Sequence, residues 1–493
     1  MGDPLVLAID QGSSSTKCVI VDYKGKIIAC GKIEIGETHP FPGHVEQDGE
    51  EIWQSVGKVV SKTLENLPNG YIAADVIVAG ISTQRESFLL WDRQTGKPLH
   101  PLISWQDQRQ VDLSSKCSDE AVQNKVKFLT GLPLDPMFSA SKGKWLLDHY
   151  DKDRNRSLKG ELCLGTIDSW LLFNIYGEHL IEAGNASRTQ LINVHECDWD
   201  DDLLALFDVP RACLPKVISS NGPFPKEIKQ SLGPLKIPVG AVMGDSHSAL
   251  FGHQAFNIGQ VKATYGTGSS IMGLIRKEDE LHSGLCLTIG WKTGDKIAYA
   301  AEGNIRSLGA TLRWMAGILD ISVTELVELG MKSQSDSVVL VPGFGGLGAP
   351  WWDEKAVGLI TNLTLGTSRQ TLARATIDSV VYQVADVVNA IRRNVGEIHQ
   401  LFVDGGPTSH DGLMQLQAQI LNCSVFRAER PELSALGVAY MAGLTEEIWT
   451  QAGLDKLNRA YDLFEPKSQQ DEQNIDLEKW HKAVNQSRQL YSI

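Results

Sequence analysis

Leu5-Val6-Leu7-Ala8-Ile9-Asp10-Gln11-Gly12-Ser13-Ser14-Ser15-Thr16-Lys17-Cys18-Val19-Ile20-Val21-Asp22 sets two apolar runs on either side of a tight turn of glycine and hydroxyl residues. The pattern predicts a β-hairpin whose tip presents backbone N–H groups and hydroxyls, a surface suited to phosphate. Asp10 closes the first run, so its carboxylate faces the same tip. One or two carboxylates are what a hydrated Mg²⁺ usually takes from a protein. Taken alone, the stretch reads more readily as an ordinary hairpin with a polar loop.

A second stretch shifts the balance. Val261-Lys262-Ala263-Thr264-Tyr265-Gly266-Thr267-Gly268-Ser269-Ser270-Ile271-Met272-Gly273-Leu274-Ile275 repeats the design, with β-type residues flanking a Gly/Thr/Ser tip. A third glycine turn, Val403-Asp404-Gly405-Gly406-Pro407-Thr408, follows a strand and precedes a helical pattern, as expected where backbone must come close to a nucleotide.

At 493 residues the chain is too long for one core. The repeated hairpin and a change of composition divide it into 1–252 and 253–493. A net charge of −14 argues against a nucleic-acid surface, so an anionic nucleotide must be met locally. The eight cysteines show no CxxC pair or metal-ligand spacing and read as reduced thiols of a cytoplasmic chain. No basic leader with a long apolar run and no 18-residue apolar stretch is present, so neither secretion nor a membrane span is expected.

Between the hairpins, Gly25 to Ile33 reads as a third antiparallel strand, and Asp48 opens a helix that stops at Pro68-Asn69-Gly70. Val76-Ile77-Val78-Ala79-Gly80-Ile81-Ser82 is an apolar run of the kind buried in a sheet covered on both faces. It delivers Arg85-Glu86, either a hydroxyl clamp, in which a guanidinium donates where a carboxylate accepts, or a solvated surface pair. Phe88 to Asp92 and Leu102 to Arg109 read as a hairpin turning at Thr95-Gly96-Lys97-Pro98. Lys142, Lys144 and Asp168 read as solvated or helix-capping. Met243-Gly244-Asp245-Ser246 joins a strand to a helix, where Asp245 is either a general base for a substrate hydroxyl or a plain N-cap. His247 beside it reads as packed or solvated. A long helix is expected from about Arg369 to Arg393, and polar helical material from Asp455 onward.

Several segments together resemble the FGGY family of carbohydrate kinases, within it most closely the glycerol kinases. They are Asp-Gln-Gly-Ser-Ser-Ser at 10–15, Ser-Thr-Gln-Arg-Glu-Ser at 82–87, Ser-Trp-Gln-Asp-Gln-Arg at 104–109, Gly-Thr-Ile-Asp-Ser-Trp-Leu at 165–171, Asn-Ala-Ser-Arg-Thr at 185–189, Tyr-Gly-Thr-Gly at 265–268 and Val-Asp-Gly-Gly at 403–406. The resemblance spans nearly the whole chain. It implies the α/β actin-like ATPase (ribonuclease H-like) fold, with two similar domains, each on a five-stranded mixed sheet, around a central cleft.

The activity it implies is ATP-dependent transfer of the γ-phosphoryl group to a hydroxyl of a small polyol or sugar. Asp10 is then the Mg²⁺ residue, and Ser13, Ser14, Ser15, Lys17, Gly266, Thr267, Gly268, Gly309, Arg313, Gly405, Gly406 and Asp411 are nucleotide positions. Arg85, Glu86, Trp105, Met137, Asp245 and Ser246 are polyol positions, with Asp245 also the catalytic base. A homodimer or homotetramer is the family expectation.

Four departures stand out. Met137 replaces a tyrosine and Ser246 a glutamine at the polyol, which removes polar partners and points to a tetritol or pentulose as competitor to glycerol. Asp411 replaces an asparagine at the adenine end. No arginine-bearing glycine loop for fructose 1,6-bisphosphate lies between Ser219 and Gly240. The remaining alternatives are a non-catalytic actin-like ATPase, such as a chaperone or filament protein, and a sensor that binds without turnover.

Overall fold

The computed structural model describes residues 2–109, 119–277, 281, 284–333, 337–430, 432–457, 460–466 and 470–490. They divide into two compact units. Unit 1 comprises 1–254, 287–299 and 432–458, and unit 2 comprises 255–286, 300–431 and 459–493. The expected boundary after 252 falls two residues before the end of the first segment of unit 1.

Unit 1 is built on β1 (Leu5–Gln11), β2 (Ser15–Val21) and β3 (Ile27–Glu34), with α1 (Gly49–Glu65) following and β4 (Val76–Thr83) next. Asp48 caps α1 by accepting from the N–H groups of Glu50 and Glu51. The chain then forms α2 (Ile167–Tyr176), β5 (Val239–Gly244) and α3 (Asp245–Gly252). Among the described residues the sheet has five strands in the order β5-β4-β1-β2-β3. β1 runs antiparallel to β2 and parallel to β4, and β4 is parallel to β5. Leu5, Leu7 and Ile9 pack with Ile52, Val56 and Val59 of α1 and with Ile167 and Trp170 of α2. On the opposite face Gly80, register partner of Ala8, lies against the backbone of helix Leu433–Thr445.

The segment from Phe88 to Ile103 turns back on itself antiparallel, as expected, but each arm forms its longer pairing elsewhere. Leu89–Asp92 pairs with Leu162–Gly165, and Leu102–Ile103 pairs with Glu46–Gln47. The two arms are joined to each other by the antiparallel bridges Phe88 to Ile103 and Trp91 to Pro98, with the Leu99 N–H donating to the Leu90 carbonyl at 2.9 Å. Strands that short have no pairing preference of their own, and burial of Leu90 and Trp91 against a distant partner decides.

Unit 2 repeats the plan with β6 (Gln260–Tyr265) and β7 (Ser269–Ile275), an antiparallel hairpin. After β8 (Cys286–Thr293) and β9 (Lys296–Ile305), whose residues 287–299 cluster with unit 1, and after α4 (Gly309–Leu319) and the long α5 (Arg369–Val395), β10 (Gln400–Asp404) pairs parallel to β6. α6 (Asp411–Leu421), β11 (Ser424–Ala428) and β12 (Tyr461–Phe464) follow. The described sheet has seven strands, in the order β8-β9-β7-β6-β10-β11-β12, where five were expected. The two surplus strands are the outermost ones, β8 and β12, the latter lying in the tail expected to be helical. Tyr461 packs on Phe402 and Phe426, and that aromatic contact favours a strand there. No described helix is long and apolar enough to cross a membrane.

Candidate active site

The carboxyl ends of β1, β4 and β5 lie side by side, because their register pairs Gln11 with Thr83 and Thr83 with Gly244. Ligand sites of open α/β sheets form at such ends. Three short segments therefore converge: the tip Gly12-Ser13-Ser14, the turn Gln84-Arg85-Glu86 and the first turn of α3, which opens with Asp245.

Arg85 is 5% exposed and its Nε lies 3.3 Å from Oδ1 of Asp245, whose side chain is 37% exposed. The base candidate is thus oriented by a buried cation and still open on one side. The Ser246 N–H also donates to Asp245 Oδ1, at 2.6 Å. Glu86 is buried with φ of 62°, an unfavourable value for a non-glycine residue and of the sort held at ligand sites. The Ser87 N–H closes this turn on the Arg85 carbonyl at 2.7 Å. Arg188, fully buried, donates through Nε to Glu86 Oε1 at 2.6 Å and lies over the Phe138 ring. Trp105 is half-buried and donates its indole N–H to Ser13 Oγ at 2.9 Å. Met137 sits in a loop whose carbonyls at 136, 137 and 138 accept from Lys142 Nζ at 2.7, 2.6 and 3.1 Å.

Lys142 is therefore neither solvated nor a cap. It is buried, and burial pulls its pKa down to about 8. Asp168 is likewise buried rather than capping at the surface, with its pKa pushed up to about 6 by burial, and accepts from Thr166 Oγ1 at 2.5 Å and the Glu182 N–H at 2.9 Å. Lys144 does stay near the surface, 3.2 Å from Asp148. His247 is packed, with Nε2 3.4 Å from Arg85 Nη1 and 3.0 Å from Thr288 Oγ1.

At the first hairpin, Asp10 Oδ1 accepts from Ser82 Oγ at 3.0 Å, and Lys17 is its cross-strand partner on the same face of the sheet. Ser13 and Ser14 are on the tip. Ser15 lies beneath it, buried at the start of β2, where its carbonyl accepts the Gly12 N–H at 3.0 Å. Among the described residues no group of three or more His, Cys, Asp or Glu could hold a metal. A single carboxylate beside a tip of backbone N–H groups and hydroxyls fits Mg²⁺, which keeps several waters and takes one or two carboxylates from a protein.

In unit 2 the second tip is brought to the start of α4. The Gly309 N–H donates to the Gly266 carbonyl at 3.0 Å, and the Leu308 and Ala310 N–H groups donate to the Thr267 carbonyl at 2.9 and 3.1 Å. Arg313 Nη2 reaches Thr267 Oγ1 at 3.2 Å. A Cβ on Gly405, whose φ is 101°, would collide with the Tyr265 carbonyl, so the Gly405-Gly406 turn also abuts this tip. Asp411 sits apart from the tip contacts and accepts from Arg427 Nη1 at 2.7 Å.

Sequence reasoning missed Arg188, Gln84 and Lys142. Arg188 carried a signal, a lone guanidinium in the otherwise small and uncharged run Asn185-Ala186-Ser187-Arg188-Thr189.

The model of the FGGY family of carbohydrate kinases, N-terminal domain, matches residues 5–252, and the C-terminal domain model matches 261–446. A glycerol kinase of Dechloromonas aromatica is 40% identical, with 98% of each chain covered, and one of Thermococcus onnurineus is 39% identical at the same coverage. Among solved structures, the Plasmodium falciparum glycerol kinase with ADP superposes with a TM-score of 0.90 at 29% identity, covering 98% of both chains. A ligand-bound xylulose kinase of Lactobacillus acidophilus shares the fold, with a TM-score of 0.85 at 19% identity, covering 99% of this chain and 98% of its own.

Proposed function

Because this chain belongs to the FGGY family of carbohydrate kinases, we propose that it transfers the γ-phosphoryl group of ATP to a hydroxyl of a small polyol, as a glycerol-kinase-like enzyme. The observation that carries this reading is the Asp245 carboxylate, held by buried Arg85 at the carboxyl ends of three parallel strands and open on its other side.

In the reaction, a primary hydroxyl attacks the γ-phosphorus while Asp245 takes its proton, and the bond from that phosphorus to the bridging oxygen breaks to release ADP. Arg85 and Glu86 orient the hydroxyls, the first donating and the second accepting, with Arg188 fixing the Glu86 carboxylate. Trp105 offers an apolar face to the polyol carbons. The tips at Ser13-Ser14 and Gly266-Thr267-Gly268 offer N–H and hydroxyl donors to phosphate, with Lys17 and Arg313 supplying positive charge beside them. Asp10 would hold Mg²⁺, which when bound neutralises charge on the phosphate oxygens. Most of the acceleration then comes from alignment and charge neutralisation.

Met137 and Ser246 favour a second reading of the substrate alone. A hydroxyl left unpaired on burial costs about 1–3 kcal/mol, enough to weaken glycerol tenfold or more if it depended on a phenol and a carboxamide. A polyol or ketose of four or five carbons has further hydroxyls to spend elsewhere. ADP release measured across glycerol, erythritol, threitol, erythrulose, xylulose and ribulose decides both points. No release with any of them refutes the kinase reading, and glycerol as the best substrate refutes the larger one.

A further inference from the structure

One hydrogen bond in unit 1 ties the polyol side to the phosphate side and has no part in the chemistry above. The indole N–H of Trp105 donates to Oγ of Ser13, a tip residue 92 positions earlier in the chain, at 2.9 Å. A serine hydroxyl has one proton and two lone pairs, so this acceptance leaves its proton for another partner. That partner is Gln84 Oε1, at the long distance of 3.4 Å.

Everything around this weak link is tightly held. Gln84 Oε1 already accepts from Ser87 Oγ at 3.0 Å, and Ser87 Oγ accepts the backbone N–H of Trp105 at 3.0 Å. Gln84 Nε2 donates to Gln47 Oε1 at 3.0 Å, and Gln47 Nε2 donates to the Ser13 carbonyl at 2.6 Å. The amide of Gln84, the tip backbone and the Trp105 backbone are thus fixed. The Ser13 hydroxyl proton is the one loosely bonded member of the ring.

On the reading that polyol packs on Trp105 and triphosphate on the tip, we propose that Ser13 Oγ couples the two ligands. A phosphate oxygen at the tip is a stronger acceptor than Gln84 Oε1, because it is charged and Gln84 is already served by Ser87. The Ser13 proton turns to it, and the oxygen that has donated becomes a better acceptor for the indole N–H, since chained hydrogen bonds polarise one another. Phosphate therefore steadies the Trp105 ring in the pose that receives polyol. Polyol on that ring, in turn, holds the Ser13 proton away from the indole and toward phosphate. Linkage requires the two effects to be equal.

The test uses the full chain, Mg²⁺ with a non-hydrolysable imido analogue of ATP, and the best polyol from the turnover screen. The Kd of each ligand is measured by calorimetry with and without a saturating amount of the other. The wild type is expected to show the same tightening in both directions, about fivefold or more. Trp105→Phe keeps an aromatic face and loses the N–H, and Ser13→Ala loses the hydroxyl. Whatever either does to the affinities taken singly, the coupling factor falls toward 1, Trp105→Phe/Ser13→Ala lowers it no further, and Ser13→Thr restores it. A purely structural role for Trp105 would weaken both ligands and leave their ratio intact. Polyol turnover together with a coupling factor that survives Trp105→Phe, or with none in the wild type, overturns the inference and leaves the kinase reading standing. Absence of turnover in the wild type overturns both.

Discussion

Asp245 is oriented by Arg85 Nε on one side and by the Ser246 N–H on the other, so an amide in its place can keep the geometry and lose the basicity. Asp245→Asn is expected to lower kcat by about 10²–10⁴-fold, the usual contribution of a positioned base, while KM changes far less. Steady-state ADP release checks this, and a variant within tenfold of the wild type would remove Asp245 from the mechanism. Behind it, Glu182 is fully buried, accepting from Ser220 Oγ at 2.5 Å and the Asn185 N–H at 2.9 Å, and burial pushes its pKa from 4.5 to about 8. A carboxyl with a raised folded pKa gives stability that is whole below pH 4.5 and lost as pH climbs through 8. Asp168 acts in the same direction, from 3.8 to about 6, whereas Lys142, lowered from 10.5 to about 8, adds stability as pH rises from 8. Between pH 6 and 8 Glu182 governs among these three. The Tm difference between Glu182→Gln and wild type should therefore move in the variant's favour over that interval and level off above it. Parallel curves would show that Glu182 carries no proton at neutral pH.

At the scale of elements, α3 and helix Leu433–Thr445 pack with their backbones in contact. A Cβ on Gly437 would overlap the Ser248 carbonyl, and one on Gly80 would sit 2.6 Å from the Val438 carbonyl. The element that bears Asp245 is therefore propped from behind by a helix with no site residue of its own. Gly437→Ala is expected to cost about 1–3 kcal/mol by overpacking and to lower kcat by shifting α3. Chemical denaturation gives the first and ADP release the second; full stability and activity would mean that the prop is dispensable. This dependence was invisible in the sequence, where residues 433–445 are an evenly apolar helix far from the motifs. What was legible was local: the run Leu5 to Ile9, the turn at Gly12, the strand-to-helix step at Gly244-Asp245. What was not depended on partners far along the chain. Glu86 and Arg188 are 102 residues apart, and Leu90, bonded across the nearby turn to Leu99, finds its ladder partner on the other edge at distant Leu164. A short strand or a single charge does not encode which distant group will bury it.

For the whole molecule, the same remoteness bears on how the chain can be divided. Unit 1 is drawn from three segments, since 287–299 and 432–458 cluster with 1–254. The family's N-terminal model ends at 252 and so omits the helix Leu433–Thr445 and residues 287–299. Cut there, the chain would expose the sheet face at Ala8 and Gly80 that the helix covers, and would lose Thr288, partner of both Ser187 and His247. At about 25 cal/mol per Å² of apolar surface, uncovering one face of a five-stranded sheet removes many kcal/mol from a domain whose net stability is of order 10. Residues 1–252 alone are thus expected to retain helical and strand signal in far-ultraviolet circular dichroism but to bind a hydrophobic dye and unfold without a cooperative transition. Adding residues 432–458 through a flexible linker should restore a measurable melting step. A sharp melt for 1–252 by itself would mean that the sheet and α1 suffice, and that the late helix serves α3 alone.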